Sequence, residues 1–139
     1  MTPGTILYDK QFQFSDTQAV IDKLLVVLCE IGHDYLVVLT TSNPKFKSST
    51  PGCNIMDKLP NFYVPVGTSW FTKPTWILLN EVYDPSHHIL NQKIADGTIT
   101  LFPNVLSSSV MKDLLDCALE SIDIDGYYLD LIAQARQGL

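Results

Sequence analysis

Arginine is almost missing from this chain of 139 residues: Arg136 stands alone against eight lysines. Arginine grips phosphate with a planar fork of donors that never loses its charge, so phosphate binding here would fall to lysine. The formal net charge is −6, and a protein that holds nucleic acid through its phosphates needs a basic surface somewhere. Residues 1 to 80 carry six lysines and six acids, while residues 81 to 139 carry three basic residues and nine acids. All of the excess negative charge therefore sits in the C-terminal part, and the visible basic patch is the pair Lys45 and Lys47. No apolar run approaches about 18 residues, so no transmembrane helix is expected. The first residues lack a basic region followed by an apolar stretch, which argues against secretion. The three cysteines, Cys29, Cys53 and Cys117, are odd in number, widely spaced and without a CxxC pair. A disulfide framework is not expected from them; Cys29 and Cys117 read as small core residues, and the chain is expected to be cytoplasmic. Gly-rich phosphate loops, a Gly-x-Ser-x-Gly elbow and a cysteine–histidine nucleophile pattern are all missing. His87 and His88 are adjacent, so on extended chain they point opposite ways; no metal and no cofactor are expected.

What is present is enough apolar residue, 46%, for one core and one domain spanning residues 1–139. Residues 5–12 alternate polar and apolar side chains and predict a half-buried first strand. The turn-prone Ser15-Asp16-Thr17 breaks the pattern. Lys23–Leu28 and Tyr35–Leu39 are short continuous apolar runs around Gly32-His33-Asp34, which predicts two central antiparallel strands buried on both faces. A polar loop follows over residues 42–60, long enough to suggest function. Phe62–Val66 and Thr75–Val82 read as strands, and Ile94–Leu101 as a hairpin or edge strand around Asp96-Gly97. From Ser107 the period changes: Met111, Leu114, Leu115, Ala118, Leu119 and Ile122 mark one face of a helix behind a serine cap. A second helix is expected from Asp123 or Asp125, burying Tyr128, Leu131, Ile132 and Ala135 and ending before Gly138. The fold class is mainly β (α+β), a small antiparallel barrel over residues 1–105 with two C-terminal helices over 106–139.

Several short segments share a pattern beyond generic strands. They are Pro3-Gly4-Thr5-Ile6 at the opening, the basic residue and apolar run Lys23–Leu28, and the strand end Leu39-Thr40-Thr41-Ser42. Leu78-Leu79-Asn80-Glu81-Val82 follows, and then Gly97 and Leu106 before a terminal helix. Together they resemble the SH3-like barrel of the MazF/PemK (Kid, CcdB) toxin superfamily of toxin–antitoxin pairs, over roughly residues 3 to 120. The resemblance departs at the segment the family writes Arg-x-Asp-Gln-x, where Leu78 stands for the arginine and Asn80 for the aspartate. The second C-terminal helix also lies beyond the family pattern.

The resemblance implies a metal-independent endoribonuclease that moves a 2′-hydroxyl onto the adjacent phosphorus. Such a reaction needs a proton acceptor, a proton donor and donors on the charge developing at phosphate. It implies Lys23 and Thr41 at the phosphate and Glu81 as proton acceptor, with Ser42 and Asn80 also contacting RNA; the residues themselves add a basic loop, Lys45 and Lys47 with Phe46 between them, whose aromatic ring suits stacking on an RNA base. It also implies a homodimer neutralised by an antitoxin segment lying across its groove. Each residue has a plainer role as well: Thr41 and Ser42 close a strand, Lys23 marks its solvent end, Asn80 and Glu81 face solvent on an edge, Lys45 to Lys47 form a solvated loop, and Trp70, Phe71 and Trp76 pack in the core. The alternative function is a non-catalytic binding module on the same barrel, holding a protein partner through Trp70 and Phe71.

Overall fold

The structure, a computed structural model, describes residues 1–14, 16–69 and 71–139. Ser15 of the expected turn and Trp70 of the expected partner surface lie outside the described residues. Among the described residues seven strands are present: β1 (Ile6–Gln13), β2 (Val20–Ile31), β3 (Asp34–Thr41), β4 (Gly52–Asn54), β5 (Asn61–Val64), β6 (Thr75–Leu78) and β7 (Ile99–Leu101). The helices are α1 (His87–Ala95), α2 (Ser108–Leu119) and α3 (Gly126–Gln137). All pairs are antiparallel, in the order β4-β5-β6-β3-β2-β1-β7, so the fold is the mainly β, barrel-like α+β class that the sequence implies.

The apolar runs that predicted central strands form β2 and β3, in register Leu25↔Leu39, Val26↔Val38 and Val27↔Val37. Alternate side chains leave on opposite faces, and both faces are buried. Val26, Leu28 and Val38 join Ile6, Ile77, Leu114, Leu115 and Ile132 in a core shared with α2 and α3. Leu25, Val27, Val37 and Leu39 join Leu7, Leu90 and Ile99 in a second core on the α1 side. Each such side chain contributes about 1.5–3 kcal/mol relative to its exposed state. Gly4 locks the barrel's opening: its φ is +88°, its N–H donates to Val27 O at 2.8 Å and its carbonyl accepts from Leu106 N at 3.0 Å. A Cβ there would lie 3.0 Å from Leu106 O and 3.1 Å from Met111 Cγ, so close approach and backbone both require glycine.

The helices show which local signals were sufficient. Ser107 caps α2 by accepting from Val110 N, and Met111, Leu114, Leu115 and Ala118 are buried as the period predicted. The period overran the helix, however: α2 ends at Leu119, and Ile122, in the turn before α3, is 96% exposed. α3 starts after Asp125 and buries Ile132 fully, with Tyr128, Leu131 and Ala135 partly buried against the core.

Four expectations are corrected. Ile94–Leu101 is not a hairpin; its first part is the end of α1, which Ser86 caps by accepting from Ile89 N, and only Ile99–Leu101 is strand. Leu90 is the one buried residue of that helix, too few to set a visible period. The expected strand Thr75–Val82 stops at Leu78, and the chain returns to β3 only through the bridges Val37↔Tyr83 and Asp34↔Ser86. The loop over residues 42–60 contains the short strand β4. Finally, Cys53 and Cys117 form a disulfide across a sequence separation of 64. Spacing along the chain says nothing about approach in space, which the pairing of β4 with β5 and the packing of α2 provide. Closing a loop of that length removes about 4 kcal/mol of unfolded-chain freedom in the chain-entropy account. Cys117 is also core, as expected, and Cys29 is a buried free thiol that burial pushes up to about 11. The cytoplasmic expectation loses its cysteine argument. What stands is that no helix among the described residues is long and apolar enough to cross a membrane.

The double-sided core makes a test. Leu114→Ala is expected to lower the unfolding free energy by about 3 kcal/mol, and Ile122→Ala by less than about 0.5 kcal/mol. Urea denaturation measures both, and similar losses would contradict this assignment of the helix face.

Candidate functional site

Asp22-Lys23 near the start of β2 and Thr40-Thr41 at the end of β3 flank the buried apolar runs, and a cleft of about 430 Å³ lies there. Lys23 and Thr41 line it, followed by Ser42, with Tyr8 and Asp22 on one wall and Thr72, Lys73 and Thr75 on another. Phe71 and Phe102 add apolar surface to its lining. The frame is hydrogen-bonded. Thr40 Oγ1 donates to Leu24 O at 3.0 Å, and Lys23 Nζ reaches Thr40 O at 3.4 Å, so β2 and β3 are tied at the rim. Tyr8 Oη donates to Asp22 Oδ2 at 2.9 Å, across the register that pairs Tyr8 with Leu24. Burial lowers the pKa of the Lys23 ammonium, and the nearby Asp22 partly opposes that shift.

The loop after Ser42 is built rather than loose. Thr41 Oγ1 accepts from Asn43 N at 3.1 Å, and Asn43 Oδ1 accepts from Lys45 N at 3.0 Å. Such Asx and Ser/Thr turns follow directly from the sequence Thr-Ser-Asn-Pro. Further on, Asp57 is a hub: Ser48 N and Ser48 Oγ donate to it at 2.6 Å each, and Asn61 Nδ2 at 2.9 Å. Trp76 Nε1 donates to Ser48 O at 2.8 Å, which pins the loop to β6. Burial works against the Asp57 charge, but the bonds from Ser48 and Asn61, with Lys47 nearby, outweigh it and hold the carboxyl below its ordinary range.

This scaffold presents Phe46 at φ 63°, a left-handed conformation that a bulky side chain rarely adopts. Its ring is 48% exposed, with Lys58 Nζ 4.4 Å and Lys45 Nζ 5.0 Å from its centre, within cation–π range. Lys47 is close enough to Lys23 for the two charges to interact: burial first, then Lys23, lower its pKa, while Asp57 raises it. Five of the eight lysines, at 23, 45, 47, 58 and 73, therefore belong to the cleft or to this loop.

Of the residues singled out in the sequence, Lys23, Thr41 and Ser42 meet in the cleft, and Lys45, Phe46 and Lys47 stand in the loop that leaves it. Glu81 and Asn80 do not line the cleft. Both follow the end of β6, where Glu81 is exposed and interacts with Tyr83, whose hydroxyl burial, with help from Glu81, pushes up to about 12. Leu78 is partly buried against the α1-side core. Phe71 is buried in the core at 5% exposure. Arg136 lies far along α3, where its Nε donates to Asp116 Oδ1 at 2.8 Å and clamps α3 to α2. Sequence reasoning missed Tyr8, Asp22, Lys73, Asp57 and Lys58. Pairing β1 with β2 as a hairpin would have placed Tyr8 beside Asp22; the others depend on long-range folding that no local pattern carries.

No protein-family model and no curated protein matches this chain.

The Asp57 anchor has a testable sign. Its folded pKa lies below the ordinary value of 3.8, so its contribution is fully present above that value and is lost as pH falls through the depressed one. The Ser48 amide chemical shift, followed by NMR, is expected to titrate with a midpoint below 3.8. A midpoint at or above that value would contradict the anchor.

Proposed function

We propose that the chain is a MazF/PemK-like toxin-family protein whose cleft binds single-stranded RNA at a phosphate. The observation that carries this reading is the meeting of Lys23, Thr41 and Ser42 in one cleft, with the Lys45-Phe46-Lys47 loop continuing from it. Lysine ammonium groups and hydroxyls suit a phosphate, and an exposed aromatic ring suits an unstacked base. The cations are concentrated here while the net charge is negative, which keeps binding local.

For cleavage, the cleft offers Asp22 as proton acceptor in place of Glu81, which lies outside it. In this reading Asp22 takes the 2′-hydroxyl proton, the freed oxygen attacks phosphorus, and Lys23 with the Thr41 and Ser42 hydroxyls stabilises the growing charge. The lowered pKa of Lys23 suits it to return a proton to the departing 5′-oxygen. The product is a 2′,3′-cyclic phosphate and a free 5′-hydroxyl. By the same resemblance the protein pairs with itself, and an antitoxin segment, acidic to match the lysines, lies across the cleft. The alternative, a binding module using Trp70 and Phe71, has less support, because Phe71 is in the core.

Induced expression in bacteria tests the catalytic reading. Growth arrest with cleaved RNA is expected for wild type and for Glu81→Ala, and is expected to be relieved by Asp22→Asn or by Lys23→Ala with Thr41→Ala. Normal growth and intact RNA at high expression of folded wild-type protein would contradict cleavage. Binding is tested separately by anisotropy of a labelled single-stranded RNA against salt. Each phosphate contact contributes about 0.7 to the slope of log affinity against log salt, so Lys23→Ala should flatten the slope by about that amount. Affinity should also fall as pH rises, starting below the ordinary lysine value of 10.5, because deprotonation removes a charge that the bound phosphate stabilises. A slope unchanged by Lys23→Ala would place the RNA elsewhere.

A further inference from the structure

The RNA reading makes no use of the Cys53–Cys117 disulfide, yet the bond lies within the segment that carries the basic loop. Cys53 is the middle residue of β4, an edge strand of three residues, paired only with β5 through Gly52↔Tyr63, Cys53↔Phe62 and Asn54↔Asn61. β4 divides the loop in two. Lys45, Phe46 and Lys47 precede it, and Asp57 and Lys58 follow it. At the sheet's edge, this ladder of three pairs is the strand's only pairing. Beside the Asp57 and Trp76 bonds that hold the two arms of the loop, the covalent bond to α2, a helix with five buried side chains, is the tie at the strand itself.

The two cysteines differ in exposure. Cys53 is exposed, while Cys117 is 2% exposed with its Sγ 3.8 Å from Asn61 O. A hollow of about 270 Å³ opens over the bond, and Asp113, Asp116 and Glu120 line it, one above another along α2. Arg136 offsets Asp116 alone. An attacking thiolate is an anion, so this acidic rim disfavours reductants that bring further negative charge.

We propose that Cys53–Cys117 is a thiol–disulfide exchange site for an uncharged or cationic dithiol, and that its reduction releases the basic loop from the RNA cleft. One thiolate of the dithiol attacks Cys53 Sγ. The Cys53–Cys117 bond breaks, Cys117 leaves as a thiolate and takes up a proton, and a mixed disulfide forms on Cys53. The dithiol's second thiolate then attacks its own sulfur in that mixed disulfide, releasing Cys53. The protein gains two electrons and two protons, and the dithiol becomes a disulfide. The exchange site stands independently of the RNA reading; the effect on binding rests on it.

The full chain is treated with cysteamine, 2-mercaptoethanol and glutathione, with rates of opening compared per thiolate at low and high salt. Cysteamine is expected to be fastest and glutathione slowest by about fivefold or more at low salt, with the spread shrinking as salt screens the acids. Equal rates at low salt would overturn the selectivity. Trypsin then probes the dithiothreitol-reduced protein at Lys45, Lys47 and Lys58. Cleavage there is expected to rise about tenfold or more, while Lys93 and Lys112 stay protected. Cys53→Ser should show the open-loop pattern with or without reductant. Loop lysines that remain protected on reduction overturn the release, and so does cleavage spread evenly over the chain, which would mean global unfolding. RNA affinity is expected to drop about threefold or more on reduction and to be insensitive to reductant in Cys53→Ser. Affinity unchanged by loop opening overturns the regulatory half. A loop that opens in a protein binding no RNA in either state supports the exchange site and overturns the RNA reading instead.

Discussion

Burial of β2 and β3 on both faces is the constraint on which the rest of this structure depends. Leu25 to Leu28 and Leu36 to Leu39 all have exposures between 0 and 6%. A strand pair apolar on both faces cannot sit at a surface, so it requires a layer on each side. α2 and α3 supply one layer, and α1 with Ile99 of β7 supplies the other. The short strands then extend the sheet at its two ends: β5 and β6 add Phe62, Val64 and Ile77 to the first core, and β7 adds Ile99 to the second. The cleft is a consequence of the same constraint. It opens where the buried apolar runs end, at Asp22-Lys23 and Thr40-Thr41-Ser42.

That geometry explains how a chain of net charge −6 can carry a cationic site. Lysines 23, 45, 47, 58 and 73 fall in the cleft or its loop, and six of the fifteen acids fall on α2, α3 and the turn between them. Local charge depends on which strand ends and loops meet, not on the total. It also explains why a single arginine does not matter here: Arg136 is used between two helices, paired to Asp116.

The central strands, the capped helix from Ser107 and the candidates Lys23, Thr41 and Ser42 were legible because each rests on local physics: a continuous apolar run, a serine before a 3.6-residue period, a polar strand end. The α1 helix was not, because Leu90 alone is buried and a period needs more than one point. Glu81 was misplaced relative to the cleft because the strand was read through to Val82, whereas pairing in β6 ends at Leu78 and Glu81 turns toward Tyr83. The disulfide and the Asp57 hub join residues far apart in sequence or in different elements, and no local pattern reports such approach. Tyr8–Asp22 was within reach, since it follows from the register of the first hairpin.

The central claim is that the polar end of β2 and β3, with its loop, is the surface that meets RNA. The most direct measurement is an amide NMR titration of the isotope-labelled protein with a short single-stranded RNA. The account predicts shifts concentrated at Lys23, Thr41, Ser42 and Lys45 to Lys47, with α2 and α3 unmoved. Shifts confined to the helices, or none at saturating RNA, would contradict it.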